Sequence, residues 1–152
     1  MSSQPDTVRR QAGRVIVLDP DQRVLLVEYV RDSGERFWAT PGGGLLEEES
    51  FERAARRELA EELGIQAGPL LPLFQAESRF TFGGEQVVQE ERYFLLRLDD
   101  PEIPEDPDME DARMMEGIIS LRWWALEEIE AARVVIFPEG LAGHVRRSLQ
   151  AS

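Results

Sequence analysis

Three carboxylates, Glu58, Glu61 and Glu62, crowd two turns of a segment with helical periodicity, just behind the glycine run Gly42-Gly43-Gly44. In a helix each residue turns by about 100° and rises by about 1.5 Å, so positions three and four apart are neighbours. Like charges at that spacing cost roughly 0.2–0.5 kcal/mol on an exposed face, which water absorbs if they point outward. Their direction therefore decides what they do. On a helical projection Phe51, Ala54, Ala55, Leu59 and Leu63 form the apolar stripe, Glu58 and Glu62 fall inside its arc, and Glu61 lies on its flank. The basic residues of the segment, Arg53, Arg56 and Arg57, project mostly to other sides. Carboxylates aimed at a core must be paired, protonated or bound to metal. Solvated Glu/Arg faces are the commoner use of such a composition, but the overlap with the apolar stripe argues against it here. All-oxygen ligation suits Mg²⁺ or Mn²⁺, whereas zinc prefers nitrogen or sulfur.

The full pattern is Gly43, five residues, Glu49, seven residues, then Arg57-Glu58-Leu59-Ala60-Glu61-Glu62-Leu63-Gly64-Ile65. It resembles the Nudix box at every fixed position, and so many required residues make it far more specific than a lone glycine motif. The loop departs from the frequent form Gly-Gly-x-Glu-x-Gly-Glu at Leu46 and Glu48. The resemblance implies an α/β/α sandwich with a mixed central sheet, and hydrolysis of a nucleoside diphosphate linked to another group. It implies Glu58, Glu61 and Glu62 as ligands of Mg²⁺ or Mn²⁺, with the Gly43 carbonyl as a further ligand. Glu49 and Arg57 match positions that brace one another and orient the helix. The general base is Glu62 within the box, or one of Glu90, Glu91, Glu110 and Glu116 outside it. Glu116, just before a strand, is the outside candidate best placed to close on the site.

Substrate contacts are less sharply indicated. Arg31, Arg36, Arg79 and Arg92 are candidates for phosphate or carboxylate, and Phe37, Trp38, Phe80 and Phe82 for stacking on a base, against ordinary packing in each case. Trp123 and Trp124 read as structural, and His144, the single histidine, as a surface or packing residue. Two other classes stand beside the hydrolase: a non-catalytic nucleotide sensor of the same fold, and a related isoprenoid-diphosphate isomerase. Intact box carboxylates weigh against the sensor, and the lack of the cysteine such an isomerase needs weighs against the other.

Composition limits the partners. The 152 residues, 42% hydrophobic, suit one compact domain with a flexible leader over residues 1–10. A net charge of −13, with arginine as the only strong base, disfavours general nucleic-acid or anionic-membrane binding and favours a small phosphorylated substrate reached through metal. There is no cysteine, no apolar run of membrane-spanning length and no signal-like centre in Ser2–Arg10, so a soluble cytoplasmic protein is expected. The oligomeric state is left open: the resemblance is compatible with a homodimer, for which the exposed parts of Leu70–Phe82 or the terminal segment would supply an interface.

Several elements must position these groups. Gly13–Leu18 and Val24–Val30 read as a hairpin turning at Asp19-Pro20-Asp21, and Phe37–Ala39 as a short strand that delivers the glycine loop. Ser50 reads as the N-cap and Gly64 as the stop of the carboxylate helix. Leu70–Phe82 and Val87–Leu98 read as strands turning at Gly83-Gly84. The acidic, proline-containing stretch Asp99–Glu116 reads as an exposed loop. Ile118–Ala125 follows as a strand, Leu126–Ala132 as a short helix, and Pro138–Leu149 as a terminal helix with proline at its start.

Overall fold

The computed structural model describes residues 7–103 and 107–150. Its strands are β1 (Val8–Leu18), β2 (Val24–Val30), β3 (Arg36–Ala39), β4 (Gly42–Gly44), β5 (Leu71–Phe82), β6 (Glu85–Arg97), β7 (Ile118–Trp124) and β8 (Ile136–Phe137). The helices are α1 (Phe51–Leu63), α2 (Pro107–Met115), α3 (Leu126–Ala131) and α4 (Leu141–Gln150). The strands form one sheet in the order β5-β6-β1-β2-β3-β8, with β4 added to β1 and β7 to β2. The β1–β6 and β3–β8 pairs are parallel and the others antiparallel, so the sheet is mixed.

Alternation along β1 divides the core. Val15 and Val17 face α1, packing with Phe51, Ala55, Leu59 and Leu63, while Ile16 and Leu18 face Leu126 of α3 and Leu141 and Val145 of α4. Helices on both faces of a mixed sheet make the α/β/α sandwich. Contact between α1 and β1 depends on Gly13, where a Cβ would stand 2.1 Å from the Phe51 carbonyl oxygen.

Local chemistry accounts for the turns and caps. Asp19 closes the β1–β2 connection by accepting from the backbone of Asp21 and Arg23 and pairing with the Arg23 guanidinium at 2.6 Å. Gly83 and Gly84 take φ of 59° and 80° between β5 and β6, the positive pair that a tight hairpin requires. Ser50 Oγ accepts from the Arg53 amide, and Gly64, at φ 67°, ends α1 while its N–H bonds the Ala60 carbonyl.

Four sequence expectations need correction. Residues 8–10 are not leader but strand, because the backbone there pairs with β6 from Val8↔Val87 onward whatever the polarity of its side chains; residues 1–6 lie outside the described residues. The glycine run is a short strand paired to residues 12–14. Asp99–Glu116 is not wholly loop: α2 forms within it, with Met109 buried and Arg113 tied to α1. The terminal helix starts at Leu141 and not at Pro138, since Ile136 and Phe137 pair with Trp38 and Ala39 and Gly140 takes φ 70°.

Candidate active site

Helix α1 lies with Glu58 and Glu62 inward, 9% and 2% exposed, and Glu61 exposed at its side. Burial, then the neighbouring Glu58 carboxyl and the Glu116 charge, push the Glu62 carboxyl well above the ordinary carboxylate range. Glu62 Oε2 is buried with no hydrogen-bond partner. A buried carboxyl oxygen left unsatisfied is costly. A cation beside Glu58 and Glu62 would relieve both the missing partner and the mutual repulsion.

Gly43 touches this group from above. A Cβ on Gly43 would lie 2.7 Å from the Glu58 carboxyl carbon, so glycine is what lets β4 pass over the carboxylates. The donors are all oxygens and sit against bare backbone, which fits a hard cation such as Mg²⁺ or Mn²⁺. Among the described residues no three acidic or histidine side chains already stand in ligand positions. Glu58 and Glu61 instead turn to Arg57 Nη1, at 2.8 Å and 3.4 Å.

Arg57 therefore does not project away from the carboxylates, as the helical projection had it; its long stem curls back along the helix. Its Nε and Nη2 hold the two oxygens of Glu49, and Nη2 also donates to the Gly44 carbonyl at 2.9 Å. The pairing lowers the Glu49 pKa and raises that of Arg57, chiefly through these hydrogen bonds. Helix, loop and β4 are thereby joined through one guanidinium. The loop between them carries Glu48 at φ 62°, a left-handed conformation held by a non-glycine residue at the place where the frequent box has glycine.

Next to the carboxylates lies a polar network that sequence reasoning did not single out as a unit. Arg14 donates to Glu91 at 3.3 Å and to the carbonyls of Thr40 and Gly42, and Tyr93 OH donates to the same Glu91 oxygen at 3.2 Å. Tyr29 stands within the field of Arg14, and burial of its hydroxyl pushes the phenol up to about 12. Burial works against the Arg14 charge, yet Tyr29, Glu91 and Tyr93 raise its pKa on balance. Glu62 lies within the field of Arg14, and Tyr29 within that of Glu62 and Glu58. A charged residue inside the apolar run of β1 was the available signal.

The remaining candidates separate. Glu116 is exposed in the turn after α2, close enough for Glu62 to feel its charge; Glu91 is buried in the network; Glu90 pairs with Arg92 and Glu110 is exposed on α2. Arg31 lies over the Phe37 ring at 4.7 Å, Arg36 is exposed at the start of β3, and Trp38 packs edge-on to Trp124 at 5.3 Å. Arg79 pairs with Glu77, and Phe80 is exposed, both on the outer strand β5. Arg92 covers the Phe51 ring at 4.1 Å, and His144 stacks on Phe74 at 4.2 Å. The structure thus brings Arg31, in the β2–β3 connection, near Arg36 and Trp38 of β3 but leaves Arg79 and Phe80 on the far side of the sheet order. A cleft of about 900 Å³ opens beside the box loop, walled by Arg9–Gln11, residues 44–49 and Val88–Glu90. Among the described residues, none of the substrate candidates lines it.

Comparison with known proteins agrees with this fold. The NUDIX domain family model matches residues 8–141. The chain is 30% identical to an RNA pyrophosphohydrolase of Sphingopyxis alaskensis over 132 residues, 80% of each chain. It is 34% identical to an RNA pyrophosphohydrolase of Teredinibacter turnerae over 103 residues, 61% of this chain and 58% of the relative. Among solved structures, the dihydroneopterin triphosphate pyrophosphohydrolase of E. coli superposes with a TM-score of 0.68 at 18% identity, covering 95% of this chain and 99% of the other. The NUDIX domain of Shewanella oneidensis NrtR, complexed with ADP ribose, gives 0.67 at 18% identity, covering 93% and 89%. At such identities these two establish the fold alone.

Proposed function

The chain belongs to the NUDIX family, and from that premise we propose that this pyrophosphohydrolase uses Mg²⁺ or Mn²⁺ to cleave a pyrophosphate bond in a nucleoside diphosphate linked to another moiety. The observation that carries the metal is the buried, unpartnered Glu62 Oε2 beside Glu58. Glu58, Glu61, Glu62 and the Gly43 carbonyl are the proposed ligands. When bound there, the ion neutralises phosphate oxygens and makes water more acidic. Glu62 takes the proton of the attacking water, with Glu116 as the alternative base from outside the helix. Water oxygen joins phosphorus, the anhydride P–O bond breaks, and two phosphate-bearing products leave. Glu49 and Arg57 hold loop and helix in register.

The linked moiety is a sugar, ADP-ribose's second half, or further phosphate. Arg31, Arg36 and Arg79 are proposed to meet phosphate, and Trp38 and Phe80 to stack on a base. A second reading makes the substrate the 5′ end of RNA, favoured by the names of the relatives and opposed by the net charge of −13. We retain a small nucleotide derivative, no other nucleic-acid or membrane partner, a homodimer and a cytoplasmic location as parts of the proposal. Among the described residues no helix is long and apolar enough to cross a membrane.

A panel of nucleoside triphosphates, nucleotide sugars, ADP-ribose, dinucleoside polyphosphates and a 5′-triphosphorylated RNA, each with Mg²⁺ or Mn²⁺, tests this. Release of products from a small substrate is expected. Turnover of the RNA alone would favour the second reading, and no turnover, with ligand binding retained, would favour a nucleotide sensor.

A further inference from the structure

Helix α1 has no basic residue in its own last turn, although the free carbonyls there favour a cation. One arrives from another element. Arg113 of α2 donates from Nε to the Glu62 carbonyl at 2.7 Å, across a sequence separation of 51 residues. The same residue closes α2, since its carbonyl accepts from the Glu116 amide at 3.1 Å, with the Ala112 carbonyl at 3.3 Å. Hydrogen bonds thus run without a break from the backbone of Glu62, through Arg113, to the backbone of Glu116.

Arg113 is set for this link more than for cohesion. Its Nη2 is buried with no hydrogen-bond partner, an arrangement that costs stability and that an arginine serving only as glue would relieve by turning outward. Beyond it, Met114, Met115 and Glu116 are all exposed, so little else packs against the end of α2 to decide where the Glu116 carboxylate stands.

We propose that Arg113 is a positioning residue, clamping the end of α2 to the Glu62 carbonyl so that the Glu116 carboxylate is held beside the α1 carboxylates, where its charge strengthens their hold on the cation. The proposal rests on the reading of Glu58, Glu61 and Glu62 as a metal seat and adds a residue that lies outside the box and touches neither metal nor substrate.

Calorimetric titration of Mn²⁺ into the full chain tests it without recourse to turnover. Arg113→Met, which keeps the stem but loses the donors, and Glu116→Gln should each weaken Mn²⁺ by about tenfold, and the double variant should be no weaker than either single one. Arg113→Lys, which keeps a donor, should stay within about twofold of the wild type. Unchanged affinity in Arg113→Met, multiplied losses in the double variant, or a tenfold loss in Arg113→Lys would each overturn the proposal. Should Arg113→Met not fold, the Lys and Gln variants still decide. Binding that is abolished by Glu58→Gln yet indifferent to Arg113 would sink this inference alone, whereas a wild type that binds no Mn²⁺ would sink the metal reading and this with it.

Discussion

Arg57 holds Glu49 by a two-point ion pair, Nε on Oε2 and Nη2 on Oε1, each at 2.9 Å. Planar donors matched to both carboxylate oxygens fix orientation as well as distance, which lysine cannot do. The pair therefore sets where the loop 44–49 lies relative to the helix that carries Glu58 and Glu62. Arg57→Lys and Glu49→Gln should each lower kcat by about 10–100-fold through misplaced ligands, with KM changing much less. Steady-state kinetics of both variants check this; a change confined to KM would place the pair in substrate binding instead.

Removing the inward carboxylate should separate stability from activity. Glu62→Gln should cut turnover by about 10²–10⁴-fold while the metal-free protein melts no lower than the wild type, because a buried, unpartnered carboxyl is replaced by a neutral amide. Mg²⁺ at about one hundred times its Kd should add about 2.7 kcal/mol to the wild type and distinctly less to the variant. Thermal melts with and without Mg²⁺ read both effects, and equal Mg²⁺ stabilisation would remove Glu62 from the ligand set.

Two glycines invite opposite outcomes. Alanine at Gly13 would drive a Cβ to 2.1 Å from a backbone oxygen of α1, so Gly13→Ala should lose about 1–3 kcal/mol of stability or fail to fold. Alanine at Gly43 meets the end of the Glu58 side chain, which can swing aside. Gly43→Ala should thus fold normally and lose turnover, as denaturant unfolding and an activity assay on the two proteins would reveal.

Glu48 offers a gain. Its φ of 62° costs a non-glycine residue about 1–2 kcal/mol, against about 0.5–1 kcal/mol of extra chain entropy lost by glycine on folding. Glu48→Gly should raise stability by a fraction of a kcal/mol up to about 1 kcal/mol. A lower melting temperature in that variant would contradict it.

His144 supplies a pH dependence. Burial and then the Arg147 charge hold its pKa below the ordinary histidine value, so the unfolded chain binds the proton more readily. Its contribution is intact above about pH 6.5 and is lost as pH falls through the lowered folded value. His144→Phe, which keeps a ring on Phe74, should lose less melting temperature between about pH 7.5 and about pH 5.5 than the wild type does. Parallel curves would show that His144 does not report the acid loss.

What could be read without coordinates was whatever is local along the chain. Helix α1, its Ser50 and Gly64 caps, the Gly83-Gly84 hairpin and the inward direction of Glu58 and Glu62 follow from periodicity and turn chemistry within a few residues. So does the family, because the box is one continuous stretch. Elements that owe their form to distant partners were not legible in the same way. Residues 8–10 are strand because β6 lies beside them, α2 is a helix whose Met109 and Arg113 dock on the body of the protein, and β8 is two residues given direction by β3.

The site divides along the same line. Sequence alone determined the acidic group and the likeness to Nudix enzymes, since helical spacing is a property of consecutive residues. Only tertiary structure decided that Gly43 lies against the Glu58 carboxyl, that Arg14, Tyr29 and Glu91 meet from three strands, and that Arg113 reaches the Glu62 carbonyl. Those contacts join residues far apart in the chain. They exist because the packing of helices on both faces of the sheet brings buried polar groups together, where each must find a partner to offset its lost water.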